Sequence, residues 1–269
     1  MKTAIITCKP DKAGMNIREC LISDFDFKEI EESFDGNKIY QNKKNPNIKL
    51  YTSNEYSVFC ENIDKKISAD LFIFATTHKS VSGIPSLCAH APGNWDKAEH
   101  GGKDRQLCIA PALYIRKAFL LLNKNNLEGF EAVMECTHHG PYIEKPVMFI
   151  EIGSTEKEWE NKAAGKAIAK TIVELLENEP QKTKIAIGIG GLHTCPIFGK
   201  IMQRKDIAIG HVCPKYMLEK LDKELIQQAM EKSNAELALL DWKGMSKEKD
   251  RIISLLEELK IKTEKIKLN

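Results

Sequence analysis

Leu71-Phe-Ile-Phe-Ala75 is an unbroken apolar run that passes through Thr76-Thr77 into His78. A short continuous run ending in a polar turn reads as a strand buried on both faces, the strand type of parallel sheets covered by helices. The pattern recurs. Ala132-Val-Met134 leads into Glu135-Cys-Thr-His138-His139-Gly-Pro141, Ile185-Ala-Ile-Gly-Ile189 into Gly190-Gly-Leu-His193, and Ile207-Ala-Ile209 into Gly210-His211. Ligands of open parallel sheets bind at the carboxyl ends of the strands. Imidazoles carried on several such ends can therefore converge on one acid–base or metal site.

Around these runs, strand-like and helix-like segments alternate, which predicts an α/β fold: one domain over 1–269, with a mixed, mostly parallel sheet flanked by helices. Further strands are expected at Thr3–Thr7, Leu107–Ala110, Val147–Ile152 and Leu237–Leu240. Helices are expected at Met15–Ile22, Ala112–Asn123, Leu218–Lys232 and Lys247–Leu259. Thr155 followed by Glu158 is a capping box, predicting one long helix to about Glu177. The segment 25–56, with its Asp35-Gly36-Asn37 turn, reads as a hairpin-bearing excursion. Residues 76–106 show no sustained period and read as a long active-site loop.

With 269 residues, 42% of them hydrophobic, the chain can bury a sizeable core. A net charge of +2 does not mark a nucleic-acid binder, and the Lys-rich stretches at 43–44, 65–66 and 260–267 read as solvated surface. No run suits a membrane helix, and the apolar part of the N-terminus is too short for a signal peptide. The eight cysteines include no Cys-x-x-Cys pair, so reduced thiols in a cytoplasmic protein are expected.

Glu135, His138 and His139 form the densest chemical cluster, able to activate water and protonate a leaving oxygen near neutral pH, or to supply nitrogen donors to zinc. Adjacent residues in an extended segment point apart, so one imidazole is expected in the pocket and the other behind it. Gly188, Gly190 and Gly191 allow close approach of backbone N–H groups to a ligand. Lys215 and Tyr216 suit a phosphate and a ring; Asn94 and Trp95 offer an amide and an aromatic platform; Gly101, Gly102 and Lys103 suit a phosphate. No Walker or dinucleotide spacing is present. Glu151, in an apolar strand, reads equally as an anchor for a neighbouring side chain or as a partner for a substrate ammonium. His100, among charged residues, is expected to be exposed.

Taken in order, Cys-Thr-His-His-Gly-Pro (136–141), Phe-Ile-Glu-Ile-Gly-Ser (149–154), Gly-Ile-Gly-Gly-Leu-His (188–193), Gly-His-Val-Cys-Pro-Lys-Tyr (210–216) and Asp-Trp-Lys-Gly (241–244) resemble the archaeal and plant type of D-aminoacyl-tRNA deacylase. Lys-Pro-Asp-Lys-Ala-Gly-Met-Asn-Ile (9–17) fits the same pattern. The resemblance implies hydrolysis of the ester joining a D-amino acid to the tRNA 3′ end. It also implies zinc as cofactor and a core similar to peptidyl-tRNA hydrolases and nucleoside phosphorylases. Matching positions are His78, His90, Glu135, His138, His139, His193 and His211.

On that basis zinc is expected on some of His90, His138, His193 and His211, with Glu135 or His139 shuttling protons. The oxyanion would meet N–H groups around Gly190–Gly191 or Gly101–Gly102. Trp95 or Tyr216 would stack on the terminal adenine, with Lys103 and Lys215 near phosphates. A monomer acting on aminoacyl-tRNA away from membranes is expected. The competing readings are a peptidyl-tRNA or nucleoside hydrolase and a zinc-dependent tRNA-binding protein without turnover.

Overall fold

The computed structural model describes residues 1–266, so Lys267 of the Lys-rich tail lies outside the described residues. Strand β1 (Thr3–Cys8) runs into helix α1 (Lys12–Asp24), whose first turn is capped by Asp11 accepting from the Gly14 N–H at 2.6 Å. The predicted excursion is the antiparallel meander β2 (Phe27–Phe34), β3 (Asn37–Asn42) and β4 (Ile48–Ser53), and a short helix α2 (Ile63–Lys66) follows. Strands β5 (Leu71–Thr77), β6 (Ser86–His90), β7 (Glu131–Met134) and β8 (Val147–Gly153), with helix α3 (Ala112–Lys124), complete this part of the chain. The eight-stranded sheet has the order β2-β3-β4-β1-β5-β8-β6-β7.

A second, all-parallel sheet follows. Its order is β10-β9-β11-β12, from β9 (Lys184–Ile189), β10 (Ile207–Cys213), β11 (Leu237–Leu240) and β12 (Thr263–Lys265). The helices between are α4 (Glu156–Trp159), α5 (Lys162–Glu177), α6 (Pro196–Arg204), α7 (Lys223–Ser233) and α8 (Lys249–Glu258). The fold is thus α/β as expected, its parallel strands shared between two sheets.

Period-two alternation explains the double burial of β5. Leu71, Ile73 and Ala75 face the cluster built with α1 and α5, while Phe72 and Phe74 face the opposite one, where Phe74 stacks on Phe149 at 4.9 Å. The second sheet is likewise covered on both faces, by α7 and α8 on one and α6 on the other.

Three local departures have physical causes. The Thr155 capping box is present but starts only α4; Asn161 then caps α5 through Ala163 and Ala164, so the expected long helix is two. The expected loop 76–106 contains β6, paired antiparallel to β8 and parallel to β7. Leu107–Ala110 is not a strand, making only isolated bridges at Leu107 and Ile109. No helix among the described residues is long and apolar enough to cross a membrane.

What this architecture provides is a junction. After β7 the chain leaves the first sheet, and Cys136 N–H donates to His193 O (2.8 Å) while Thr137 N–H donates to Val212 O (3.0 Å). The Glu135–Pro141 segment therefore stitches the carboxyl end of the second sheet to the first.

Candidate active site

Five imidazoles and two carboxylates, His78, His90, His138, His139, His193, Glu135 and Glu151, meet at that junction. His78 follows β5, where four bonds hold it and the residue before it: its N–H to Ile152 O, its O from the Trp159 indole at 3.0 Å, and Asp11 pinning Thr77 through N–H (3.0 Å) and hydroxyl (2.8 Å). His90 ends β6 and is fully buried, stacked 5.2 Å from Phe149. Glu151 lies on β8, where Thr76 donates to it at 2.8 Å and His90 Nε2 stands 3.5 Å away.

His138 and His139 depart from the expected opposed orientation. His139 adopts a left-handed φ of 45°, a conformation uncommon for any residue other than glycine and held where the surroundings enforce it. The turn brings both rings into one cavity, their centroids 4.3 Å apart and that of His90 4.3 Å from His138.

The ring nitrogens of this trio are already sorted. His138 Nδ1 faces Cys136 O (2.8 Å), His139 Nδ1 faces Gly140 O (2.6 Å) and His90 Nδ1 faces Ala91 O (3.2 Å). A carbonyl only accepts, so each Nδ1 carries the proton and each Nε2 presents a lone pair. One nitrogen from each of the three lies within 4.8 Å of the others, and His90 Nε2 is a buried atom with no hydrogen-bond partner.

Across the cavity the electrostatics reverse. Glu135 is buried, with Oε1 3.0 Å from His78 Nδ1 and 3.4 Å from His193 Nε2. These contacts have ion-pair length without hydrogen-bond alignment, so both Glu135 oxygens lack a hydrogen-bond partner. Burial favours the neutral acid, but His193 and His78 outweigh it and hold the carboxyl well below the ordinary glutamate value. Reciprocally, burial works against charge on His193, yet Cys136 and Glu135 beside it push its pKa up to about 10. His78 is also raised, Glu135 and Glu151 overcoming its burial. By contrast, burial and then the neighbouring His90 lower His139 to about 4, and burial with His90 and His139 holds His138 well below the ordinary range. His193 is thus protonated at neutral pH, while His138 and His139 across from it are neutral.

His78, His138, His139, Glu151 and His193 border an open cavity of ≈ 570 Å³, which also reaches Asn94, His100 and Tyr216. Tyr216 is half exposed and its hydroxyl lies 3.0 Å from His193 Nδ1.

Several expected site residues serve other ends. His211 lies inside β10 at a bulge, fully buried, donating from Nε2 to Cys108 O (2.8 Å) and accepting at Nδ1 from Thr137 Oγ1 (2.9 Å). With both nitrogens committed it has no lone pair for zinc. Trp95 is only 3% exposed and donates to Thr137 O, so it offers no stacking platform. Asn94 braces its own loop by donating to Gly101 O and Lys103 O. Gly102 N–H donates to Glu61 and Gly190 N–H to Cys213 O, which removes both as oxyanion donors.

Gly101 is required because a Cβ there would meet Val58 O at 1.7 Å; Gly191 turns against the Phe198 ring. Lys103 sits 4.2 Å from the Tyr142 ring centroid, and Lys215 is exposed beside Tyr216. His78 is a contributor to which no role was given beforehand: its place after a buried strand and its match to the family pattern signalled it.

The chain matches the family model described as D-aminoacyl-tRNA deacylase over residues 65–264. It is 41% identical to a D-aminoacyl-tRNA deacylase of Pyrococcus furiosus over 249 residues, 89% of this chain and 90% of the relative. A D-aminoacyl-tRNA deacylase of Archaeoglobus fulgidus is 30% identical, covering 98% of this chain and 97% of its own. A crystal structure of a conserved protein of unknown function superposes with a TM-score of 0.89 at 29% identity, covering 98% of this chain and 95% of that one.

Proposed function

The chain belongs to the D-aminoacyl-tRNA deacylase family, and we propose that it cleaves the D-aminoacyl ester in the cavity between its neutral and its protonated histidines. The observation that carries this reading is the asymmetry of one site, a buried carboxylate beside His193 and His78 on one side and three carbonyl-engaged imidazoles on the other. Neighbouring groups whose environments push their pKa values apart are the pairs that divide acid and base work.

We assign zinc to His90, His138 and His139 rather than to the set including His193 and His211. The fit rests on donor chemistry: three imidazoles with Nδ1 engaged and Nε2 unshared, and a burial that keeps His138 and His139 neutral. Three nitrogen ligands beside an open cavity match a catalytic zinc centre, which keeps a position for water or substrate. Lewis acidity toward water and the ester carbonyl is what zinc supplies there.

The protein's own groups do the rest. His193, protonated and partly exposed to the cavity, stabilises developing negative charge on the carbonyl oxygen and returns a proton to the departing ribose oxygen. Glu135 lies behind His193 and His78 and acts through them, holding both in the charged form. The released products are the free D-amino acid and tRNA.

The test is release of amino acid from tRNA charged with a D-amino acid or its L-enantiomer, beside N-acetylated aminoacyl-tRNA, with metal content measured on the same preparation. Selective release of the D-amino acid, lost in His138→Ala with zinc content, is expected. Cleavage of the N-acetylated substrate alone would move the chain to the peptidyl-tRNA hydrolases, and stable tRNA binding without turnover would make it a binding protein.

A further inference from the structure

Of the seven large apolar side chains left in water among the described residues, all but Met1 and Ile84 lie around one opening. Tyr56, Phe59, Val81, Leu192 and Tyr216 are 55%, 51%, 108%, 49% and 50% exposed. Val81 and Tyr216 border the histidine cavity directly, Tyr56 and Phe59 bracket its wall residues Ser57 and Val58, and Leu192 adjoins His193. Phe59 also lies against the loop that forms the opposite lip, since a Cβ on Gly101 would meet its ring at 3.4 Å.

Local bonding displays Val81 outward. Ser80 and Ser82 hydroxyls share a 2.9 Å bond, Ser82 N–H donates to Ser80 Oγ, and Gly83, with φ +66°, returns its N–H to Ser80 O. The result is a tight turn with an aliphatic tip. Clustered apolar exposure on a soluble protein marks a contact surface.

Charge around the same opening argues for what the contact is. Lys79, Lys97 and the imidazoles of His193 and His78 are opposed by Asp96, Glu99 and Glu151 in the cavity wall and by Glu135 behind it, and Lys97 is already paired with Asp104 at 2.6 Å. With no cationic excess, phosphate attraction does not hold a polyanion there. Unpaired bases, by contrast, offer π-faces that stack on aromatic and aliphatic side chains irrespective of sequence.

Resting on the deacylase reading, we infer that Tyr56, Phe59, Val81 and Leu192 form an apolar collar that receives the unpaired 3′-terminal bases of the charged tRNA through stacking and van der Waals contact.

The experiment compares wild type with Val81→Ser/Leu192→Ser and Tyr56→Ser/Phe59→Ser. It measures KM and kcat on D-aminoacyl-tRNA at several salt concentrations, and binding of a labelled single-stranded RNA hexamer and a blunt RNA duplex. Each double variant should raise KM about 10-fold, the scale of one lost base stack. The salt dependence of KM should stay unchanged and hexamer binding should weaken in parallel. Duplex binding at least as tight as hexamer binding, or variants with wild-type KM and hexamer affinity, would overturn the inference. Failure of the wild type to release D-amino acid would instead overturn the deacylase reading, which separates the two.

Discussion

Glu135 holds a negative charge where water does not reach it, and the charge on His193 and His78 depends on that. In Glu135→Gln the buried partner is neutral, so each imidazole loses one of the groups that raise it, His193 keeping Cys136 and His78 keeping Glu151. If His193 donates the proton, kcat/KM falls as pH rises through its pKa, near 10 in the wild type. Glu135→Gln should move that descending limb at least one unit lower, measured after subtracting spontaneous ester hydrolysis; an unmoved limb removes His193 as the acid. His211 gives the opposite sign. Its folded pKa, about 4, lies below the ordinary 6.5, so above pH 6.5 the group is neutral in both states and neutral to stability. As pH falls from 6.5 toward 4 the unfolded chain takes up a proton that the folded one refuses. Stability drops by about 3 kcal/mol over that window at roughly 1.4 kcal/mol per unit. Urea unfolding of wild type and His211→Gln between pH 7 and 4 checks this: the variant's curve should be flatter, and parallel curves would refute it. Sequence could not separate His211 from His78, His138 and His193, because all four follow apolar runs. Only the bulge, which turns His211 toward Cys108 O inside the strand, makes the difference.

Elements hold these side chains in place through a few buried caps. Asp11 is the most heavily used, ending α1 with one oxygen and clamping Thr77, one residue before His78, with both. Asp11→Ala removes a helix cap and leaves the Thr77 N–H without its acceptor. The expected loss is about 2–4 kcal/mol by denaturant titration, with a fall in kcat, since a cap and a buried bond each contribute about 1–2 kcal/mol. Wild-type stability would show that Thr77 finds another acceptor. At the same level lies most of what the sequence concealed. Buried strands β1, β5, β8 and β9 were legible because continuous apolar runs flanked by turns have few other readings. Strand β6 was not: Ser86-Leu-Cys-Ala-His90 is short and mixed, and its partners lie about sixty residues away on β8. Helix α6 follows Thr194-Cys-Pro196 inside a glycine-rich stretch and was missed, although Pro at the first helical position is itself a start signal. Leu107–Ala110 misled in the other direction, being apolar because it packs under the loop rather than because it pairs.

Across the whole molecule, the proposed zinc site ties β6 of the first sheet to the segment that crosses to the second. It does so on a chain that already owns four buried hydrophobic clusters. Small zinc domains unfold without metal because the ion replaces a core they lack. Here the core is independent of His90, His138 and His139, so chelation should abolish turnover and leave the fold. The stability change follows from mass action: a ligand bound only by the folded state at 100 times its Kd adds about 2.7 kcal/mol. For a chain of this size each 1 kcal/mol shifts Tm by roughly 2–4 °C, so zinc should raise Tm by about 5–10 °C over the chelated protein. That increment should shrink as pH falls, because protons compete for the three Nε2 lone pairs, and it should vanish in His138→Ala. Calorimetry of zinc-loaded and chelated protein, with circular dichroism for the fold, decides the matter. A chelated sample that has lost its tertiary signal would make the metal structural, while equal Tm values with full turnover would leave the three imidazoles to act without it.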